Sequence, residues 1–362
     1  MKVYALLCAI ALTVGQAAWG EPAQKLPLEF AKPGHAWSFP RDHGPHYSFQ
    51  TEWWYFTGQL FDEKAEPFRD KPLYGFQLTF FRRAQGDNAA SPSDFLAHAA
   101  LTDLATGVTH VATRKGGGLL GVAGARDNAL DVWAGDWSAE LIAGVPVVRF
   151  DVPGRSAPLE VRLRGAEGSA PWLQGDAGYS RKGACESCAS QYYSMPRLEL
   201  RGEVQTGGSV TSVRGLGWMD HEFMTNSLSE DQVGWDWMGL MLKDGRNLMV
   251  FRLRTKDGRT SYVSGSLQDK SGSHPLTDKE LTIMQGQESV LVSSGGRYPA
   301  SWHVTVPQYG VDTVVHARTP QCEIGASSEG EAPRYWEGPV ASSDESVIGY
   351  LEMTGYAGKV TL

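Results

Sequence analysis

The sequence lacks a long apolar run after its first twenty residues, an excess of positive charge and the motif of a common hydrolase class. After Gly20 no stretch approaches the ~20 apolar residues that a membrane helix needs. Lys and Arg total 33 against 41 Asp and Glu, a formal net charge of −8, and no basic stripe occurs. This balance argues against nucleic acid as a partner. No G-x-S-x-G elbow is present, so an α/β-hydrolase triad has no support.

The N-terminus differs from the rest of the chain. Lys2 precedes the apolar run YALLCAIALTV, and Ala18-Trp19-Gly20 places small residues at the two positions that a signal peptidase recognises. We therefore predict that residues 1–20 are a signal peptide cleaved before Glu21. The mature chain is then expected to be an exported soluble protein, periplasmic or secreted.

Three cysteines remain after that cleavage. In an oxidising compartment the CESC stretch predicts a disulfide between Cys185 and Cys188, with Cys322 left as a free thiol. A thioredoxin-type redox centre and half of a zinc site are the alternatives for a C-x-x-C motif. The first needs a βαβ context and the second needs another ligand pair, and neither is evident.

The pattern along the chain predicts an all-β protein. Few segments keep a helical period, whereas short alternating runs are punctuated by 42 glycines. Asp244-Gly245 and Asp257-Gly258 suit tight turns, because both dipeptides tolerate the positive φ of a hairpin tip. Residues 234–268 are therefore predicted to form a three-stranded meander, and residues 105–107 the tip of another hairpin.

An internal similarity predicts two domains of one kind. Residues 53–60, followed by 76–82, resemble residues 235–242, followed by 248–252: each is an aromatic strand, a turn and an apolar strand ending in arginine. The polar stretch Gln205–Ser209 suggests a linker or a long turn, and we place the boundary there. We therefore predict an N-terminal domain over 24–204 and a C-terminal domain over 205–362.

A series of motifs then resembles a known family. They are TEWWYFTGQL (51–60), AHAALTDLATG (97–107), GYSRKG (178–183), SQYYSMPRLELRGEV (190–204), GLGWMDHEF (215–223), GWDWMGLMLKDGRNLMVFRLR (234–254), SGGRYPASWHVTVP (294–307), YWEGPV (335–340) and GYLEMTGY (349–356). The chain resembles the AttH-like secreted proteins, which are related to carotenoid 1,2-hydratases and to fungal pericyclases. The resemblance implies two lipocalin-like antiparallel β-barrel domains in tandem and an apolar cavity in or between them. The CESC insertion departs from the family pattern.

The stretch GLGWMDHEF carries the candidate catalytic residues. On a strand, Trp218, Asp220 and Glu222 share one face and His221 lies on the other. Two neighbouring carboxyl groups beside tryptophan favour one that holds a proton while the other stays ionised, as a general acid requires. The resemblance to the hydratases implies Asp220 as the proton donor. The alternative is structural, since Asp and His also bridge strand ends, and His221 is expected to bond adjoining loop backbone.

Other residues are candidates for the ligand site. They are Trp53, Trp54, Tyr192, Tyr193, Trp218, Trp235, Glu52 and Glu337. Within the consecutive pairs Trp53-Trp54 and Tyr192-Tyr193, side chains alternate between faces, so at most one tyrosine meets the cavity. Glu52 and Glu337 have an alternative interpretation as solvated carboxylates at strand ends. No metal or cofactor is expected, because the pair His43 and His46 flanks a Gly-Pro turn with no evident partner cluster.

Two classes of function remain. One is an exported protein that binds an apolar or amphipathic small molecule and catalyses its hydration or hydrolysis at Asp220. The other is a non-catalytic carrier of a lipid or other hydrophobic ligand that serves an envelope ABC transporter. A carbohydrate-active enzyme is a weaker third possibility. An enzyme requires Asp220 or Glu222 to face the cavity, whereas a carrier can leave both at its rim.

Overall fold

The computed structural model describes most of the chain after its N-terminus. The described residues are 26–117, 121–154, 157–166, 170–185, 187–226, 228–292, 295–325 and 334–358. The predicted signal peptide over 1–20 lies outside them. Within this part of the chain no helix has the length and apolar character that crossing a membrane requires.

The first sheet has thirteen strands. They are β1 (Thr51–Asp62), β2 (Tyr74–Ala84), β3 (Ser93–Asp103), β4 (Val108–Gly117), β5 (Ala123–Ala125), β6 (Asp131–Ala134), β7 (Trp137–Ile142), β8 (Val145–Val152), β9 (Leu159–Gly165), β10 (Trp172–Leu173), β11 (Tyr179–Arg181), β12 (Ala189–Thr206) and β13 (Ser209–Asn226). The strand order is β4-β3-β2-β1-β13-β12-β9-β8-β7-β6-β5, and β10 and β11 also pair with β12. The two ends approach each other where Gly116 packs against Ala123, so the sheet is a nearly closed barrel.

The second sheet has ten strands. They are β14 (Gln232–Leu242), β15 (Asn247–Thr255), β16 (Thr260–Asp269), β17 (Gly272–Leu276), β18 (Thr282–Gln285), β21 (Ser301–Val306), β22 (Val311–Ala317), β23 (Glu323–Ile324), β24 (Tyr335–Ser342) and β25 (Val347–Thr354). The order is β17-β16-β15-β14-β25-β24-β22-β21-β18, with β23 also paired to β24, and this sheet curls into a half-barrel. A separate pair joins β19 (Ser289–Leu291) to β20 (Arg297–Pro299), and 3-10 turns occupy Arg41–His43 and Pro307–Tyr309.

The prediction of an all-β chain with two tandem barrel-like domains is confirmed. All pairings between these strands are antiparallel. The predicted meander over 234–268 is confirmed as β14, β15 and β16, with Gly245 and Gly258 at positive φ in its two turns. The hairpin around 105–107 is likewise formed by β3 and β4.

The internal similarity corresponds to equivalent places in the two sheets. In the first sheet β1 lies between β2 and the last strand, β13; in the second, β14 lies between β15 and the last strand, β25. The aromatic strand of each half thus bridges the start and the end of its own sheet.

The predicted boundary near 205 needs correction. Gln205–Ser209 is the tip of the hairpin between β12 and β13, and both strands belong to the first sheet. A polar glycine-containing stretch looks the same in sequence whether it is a linker or a turn. The chain changes sheets only after Asn226 and before Gln232.

The three largest apolar cores among the described residues result from this arrangement. One fills the first barrel and includes Trp54, Tyr193 and Met219; a second fills the half-barrel around Trp302 and Trp336. The third lies between the two sheets, and its members are Tyr55, Phe61, Trp172, Tyr192, Leu216, Trp218, Trp237, Met241, Met249, Phe251, Leu253, Ala341, Ile348 and Tyr350. The outer faces of the two barrels therefore pack against each other.

The described cysteines form one disulfide and one buried free thiol. Cys185 and Cys188 form a disulfide with their Cα atoms 5.2 Å apart, in the loop that leads to β12. Cys322 is a buried free thiol, and burial raises its pKa to about 11.

Candidate functional site

A cleft of about 720 Å³, part of it open to solvent, lies between the two sheets. Its walls come from β1, β2, β12 and β13 of the first sheet and from β14, β15, β24 and β25 of the second. Aromatic side chains dominate it, among them Trp53, Tyr55, Trp235 and Trp237. Wide apolar surfaces with a few polar groups are typical of a small-molecule site.

Strand alternation decides which residues of β13 reach this cleft. Asp220 and Glu222 line it, and Trp218 packs in the core between the sheets. His221 points the other way, into the interior of the first barrel, where it stacks on Trp54. The strand pattern of the sequence thus separates the acids from the histidine.

Asp220 is the most fully hydrogen-bonded acid of the cleft. Its Oδ1 accepts hydrogen bonds from Ser194 Oγ at 2.5 Å and from Trp218 Nε1 at 2.7 Å. Its Oδ2 accepts one from Tyr192 OH at 2.7 Å, and Tyr192 OH in turn accepts one from Trp237 Nε1. Both sheets therefore contribute to the position of this carboxyl group.

The environment brings the pKa of Asp220 to about 7. Burial is the largest cause, because removing a carboxylate from water disfavours its charged form. The three hydrogen bonds oppose this effect, and repulsion from Glu222 adds to it. A carboxyl group that is partly protonated near neutral pH can donate a proton and take it back.

Glu222, the predicted neighbour of Asp220 on the same face, has different hydrogen-bond partners. Its Oε1 forms an ion pair with Lys182 Nζ at 2.6 Å and accepts a hydrogen bond from Ser190 Oγ. The ammonium group of Lys182 also lies 5.1 Å from the ring centre of Tyr192 and 4.3 Å from that of Phe251. A lysine from the loop before β12 thus pairs with Glu222, so the two acids differ in their partners.

The second sheet contributes two more acids to the cleft. Glu337 on β24 and Glu352 on β25 lie directly opposite each other on adjacent strands. Glu337 is fully buried, so its interpretation as a solvated carboxylate is wrong. Burial and repulsion from Glu352 raise its pKa well above the usual value. Burial raises the pKa of Glu352 to about 7, against a hydrogen bond from Trp235 that lowers it.

The acids of the two sheets occupy equivalent positions. Asp220 on the last strand of the first sheet lies opposite Tyr55, and Glu352 on the last strand of the second lies opposite Trp237. On the other side, Asp220 faces Ser194, whereas Glu352 faces Glu337. Where the first half has a hydroxyl donor, the second half has another acid.

Glu52 belongs to a different network, inside the first barrel. Its carboxylate pairs with Arg82 Nε at 2.9 Å, His46 Nδ1 at 2.8 Å and His221 Nε2 at 2.8 Å, and its side chain is fully buried. The interpretations of Glu52 as a cleft residue or a solvated carboxylate are both wrong, because its strand turns this side chain inward. These partners hold the pKa of Glu52 well below its usual value despite burial.

The other candidates divide by the same alternation. Trp53, Tyr192 and Trp235 line the cleft. Trp54 and Tyr193 lie in the barrel interior, so Tyr193 is not available to a ligand in the cleft. His221 bonds Tyr193 OH and Glu52 rather than loop backbone alone, since its ring lies within reach of both side chains.

The interior histidines come close enough to be considered for a metal ion. Donor atoms of His46, Glu52 and His221 lie within 4.8 Å of one another. They are already hydrogen-bonded to each other, and Arg82 holds the second oxygen of Glu52. A guanidinium at that oxygen and a charge-balanced set of partners fit a structural network better than a metal site.

Sequence reasoning missed several residues of the cleft. They are Tyr55, Lys182, Ser194, Trp237, Phe251, Tyr335 and Glu352. Strand alternation from Trp53 and Trp235 would have found Tyr55 and Trp237. Lys182 lies in the quoted motif GYSRKG, in a loop after a short strand, but that motif alone did not indicate a partner for Glu222.

Comparisons with known proteins agree on the fold. The model of the family described as AttH-like matches residues 30–356. The solved structure of an AttH from Nitrosomonas europaea is 29% identical and covers 91% of this chain and 100% of its own, with a TM-score of 0.79. That of kievitone hydratase from Nectria haematococca is 13% identical over 92% and 98% of the two chains, with a TM-score of 0.59, and shows the fold alone.

One curated sequence is also similar. The dehydratase AsqC of Emericella nidulans is 24% identical over 178 residues, which are 46% of this chain and 48% of that protein. The match thus spans about half the length of the curated relative.

Proposed function

This chain belongs to the AttH-like family, and from that membership and the geometry of the cleft we propose that it is a hydratase-like enzyme acting on a small hydrophobic molecule. Asp220 is the residue that transfers the proton. One observation carries the proposal: a buried acid with a pKa of about 7 lies in the wall of an aromatic cleft. The curated relative AsqC, which is similar over about half of this chain, is named as a dehydratase, and this supports the reaction class.

The proposed reaction adds water to an alkene. The Asp220 carboxyl group gives its proton to one alkene carbon, and the π electrons form the new C–H bond. The neighbouring carbon becomes cationic and accepts an electron pair from a water oxygen, which forms the C–O bond. The surplus proton of that water passes to the Asp220 carboxylate, so the acid is restored and one water has been added.

The first sheet prepares Asp220 for both halves of this cycle. Burial favours the protonated form before transfer, and the donors Trp218, Tyr192 and Ser194 stabilise the carboxylate that transfer leaves behind. A balance between the two effects is what a group needs if it is to act first as acid and then as base.

The decisive experiment compares the wild type with Asp220→Asn. Both proteins are incubated with isoprenoid alkenes of increasing chain length in water labelled with heavy oxygen, and products are analysed by mass spectrometry. We expect labelled alcohol from the wild type and at least a ~100-fold lower rate from the variant, in line with the contribution of a general acid. Asp278→Asn, at an exposed turn position, is the matched control and is expected to keep full activity.

A second measurement on the same two proteins tests the alternative, a non-catalytic carrier. Material purified with its native ligand is extracted from the wild type and from Asp220→Asn. A ligand recovered unchanged from both, with equal affinity for both, would favour a carrier of hydrophobic ligands over an enzyme. Export through the predicted signal peptide remains part of this proposal and is tested by fractionating cells that express the full chain. Service to an envelope ABC transporter belongs to the carrier alternative.

A further inference from the structure

Among the described residues, no cationic side chain forms an ion pair with Glu337 or Glu352, the acidic pair of the second sheet. In the described part of the chain, neither carboxyl oxygen of Glu337 has a hydrogen-bond partner, although the residue is fully buried and lines the cleft. Glu352 lies opposite it on the next strand, a position at which like charges repel. Buried polar groups are normally paired, so the unpartnered carboxyl group of Glu337 is complementary to something that enters the cleft.

The first half of the cleft shows what such a partner looks like. There the acid Glu222 is paired with the ammonium group of Lys182, and that ammonium lies over the rings of Tyr192 and Phe251. A carboxylate on one side and aromatic faces on the other are the standard surroundings of a bound ammonium group. The cleft therefore already holds one cation of its own.

The part of the cleft around Glu337 and Glu352 also has aromatic faces beside its acids, but no lysine of the described residues pairs with them. Trp235 and Trp237 lie beside Glu352 on the neighbouring strand, and Tyr335 shares β24 with Glu337. The hydroxyl of Tyr55, which interacts with Glu337 across the cleft, has no hydrogen-bond partner within normal distance. Two acids, a ring of aromatic faces and an unpartnered hydroxyl thus meet in one place.

The charged groups around the pair leave it without compensation. Asp220, Glu222 and Asp236 all raise the pKa of Glu352, and Glu352 raises that of Glu337. Among the described residues, the titratable side chains that interact with the pair are Asp220, Glu222, Asp236, Tyr55, Tyr335, Tyr350 and Cys322, and Lys182 lines the same cleft. Lys182 is paired with Glu222, while Arg252 and Arg254 are paired with Asp236.

We propose that Glu337 and Glu352, with the tryptophan faces beside them, form a subsite for an organic cation of the quaternary-ammonium type. A cation entering the cleft displaces the proton that the empty pair holds, so binding releases protons. Resting on the proposed function, the cation met during turnover is the carbocation formed when Asp220 protonates the alkene. Glu337 and Glu352 then touch the reacting group from the side opposite Asp220 and stabilise its positive charge.

The test uses a matched pair of probes. Choline carries a quaternary ammonium group, and 3,3-dimethyl-1-butanol has the same shape with carbon in place of nitrogen. Calorimetric titration of the full mature chain at pH 8 is expected to give at least tenfold tighter binding of choline. The preference should weaken towards pH 6, because the acids are then protonated, whereas the affinity for the neutral alcohol should stay constant.

Variants assign the preference to the proposed pair. Glu337→Gln and Glu352→Gln keep the size of each side chain and remove its charge, so each is expected to reduce choline affinity about tenfold and leave the alcohol unaffected. Glu199→Gln, an exposed residue of the first sheet, is the control. Titration in two buffers of different ionisation enthalpy should show proton release with choline and none with the alcohol.

Three results would overturn the inference: equal affinity for the two probes, no choline binding at pH 8, or full choline preference in Glu337→Gln. These binding results are independent of turnover. If Asp220→Asn retains choline preference while the wild type shows no hydration of any alkene, the hydratase proposal fails and the cation subsite stands. If hydration depends on Asp220 but the two probes bind equally, the cation subsite is overturned and the hydratase proposal stands.

Discussion

Glu52 and Asp220 lie on neighbouring strands, β1 and β13, but on opposite faces of one sheet. Glu52 points into the first barrel and meets Arg82, His46 and His221; Asp220 points into the cleft and meets only neutral donors. Both are buried, yet their pKa values move in opposite directions, well below the usual value for Glu52 and up to about 7 for Asp220. Burial is therefore common to both, and the partners decide the protonation state.

The contrast separates a structural acid from a chemical one. The partners Arg82, His46 and His221 favour the charged form of Glu52 in spite of its burial, so its carboxylate links neighbouring strands. Neutral donors leave Asp220 able to gain or lose a proton near neutral pH. The two faces of one sheet thus carry acids of different kinds. Glu52 is a paired carboxylate on the barrel face, and Asp220 can exchange a proton on the cleft face.

The largest expected effect comes from breaking the structural side. Glu52→Gln leaves Arg82 and His46 without their carboxylate, and we expect the free energy of unfolding at pH 7 to fall by ~3–5 kcal/mol, as for a buried pair that loses one partner. Urea unfolding provides the measurement, and Glu199→Gln is the exposed control.

The pH dependence of that effect has a definite sign. The folded-state pKa of Glu52 is depressed, so its contribution is present above the unfolded value of ~4.3 and is lost as the pH falls further. The difference between wild type and variant should therefore shrink below about pH 4. An undiminished difference in acid would contradict the ion-pair interpretation.

An opposite change is expected in the cleft. Glu337→Leu removes a buried carboxyl group without partners and replaces it by an apolar side chain, so the protein should gain ~1–3 kcal/mol of stability at pH 8. Because the folded-state pKa of Glu337 is raised, the wild-type penalty grows as pH rises above the unfolded value, and the gain should be smaller at pH 4. A loss of stability at pH 8 would show that Glu337 is paired in the folded protein.

The smallest effect sharpens the account of Asp220. Trp218→Phe removes the indole donor to Oδ1, a loss of about 1 kcal/mol of stabilisation for the carboxylate. The pKa of Asp220 should therefore rise further, which carbon-13 NMR titration of labelled aspartate carboxyl groups can detect. Trp133→Phe, whose indole donates to Gly121 O elsewhere, should leave that titration unchanged.

Much of the site follows from strand periodicity. Because side chains alternate every residue, the order Trp-Met-Asp-His-Glu alone puts Asp220 and His221 on opposite faces. The similarity between the 53–60 and 235–242 segments also predicts that β1 and β14 occupy equivalent positions in the two sheets. These features depend on residues that are close in the sequence, so they can be predicted without knowing the tertiary contacts.

Other features depend on contacts far apart in the chain. Gln205–Ser209 is a turn because β12 pairs with β13. That β13 belongs to the first sheet depends also on its pairing with β1, more than 150 positions away, and no local pattern records that pairing. Glu52 lies in the barrel interior and Glu337 lies in the cleft. This difference depends on which face of each strand the other elements cover.

The sequence by itself determined an all-β chain, its principal turns, its repeated aromatic strand and the alternation that separates acid from histidine. Only the tertiary structure decided that the cleft lies between the barrels, that Lys182 neutralises Glu222 and that Glu337 meets Glu352. The physical reason is that a strand's own residues set its periodicity, whereas protonation and burial are set by neighbours that only the docking of two sheets brings close.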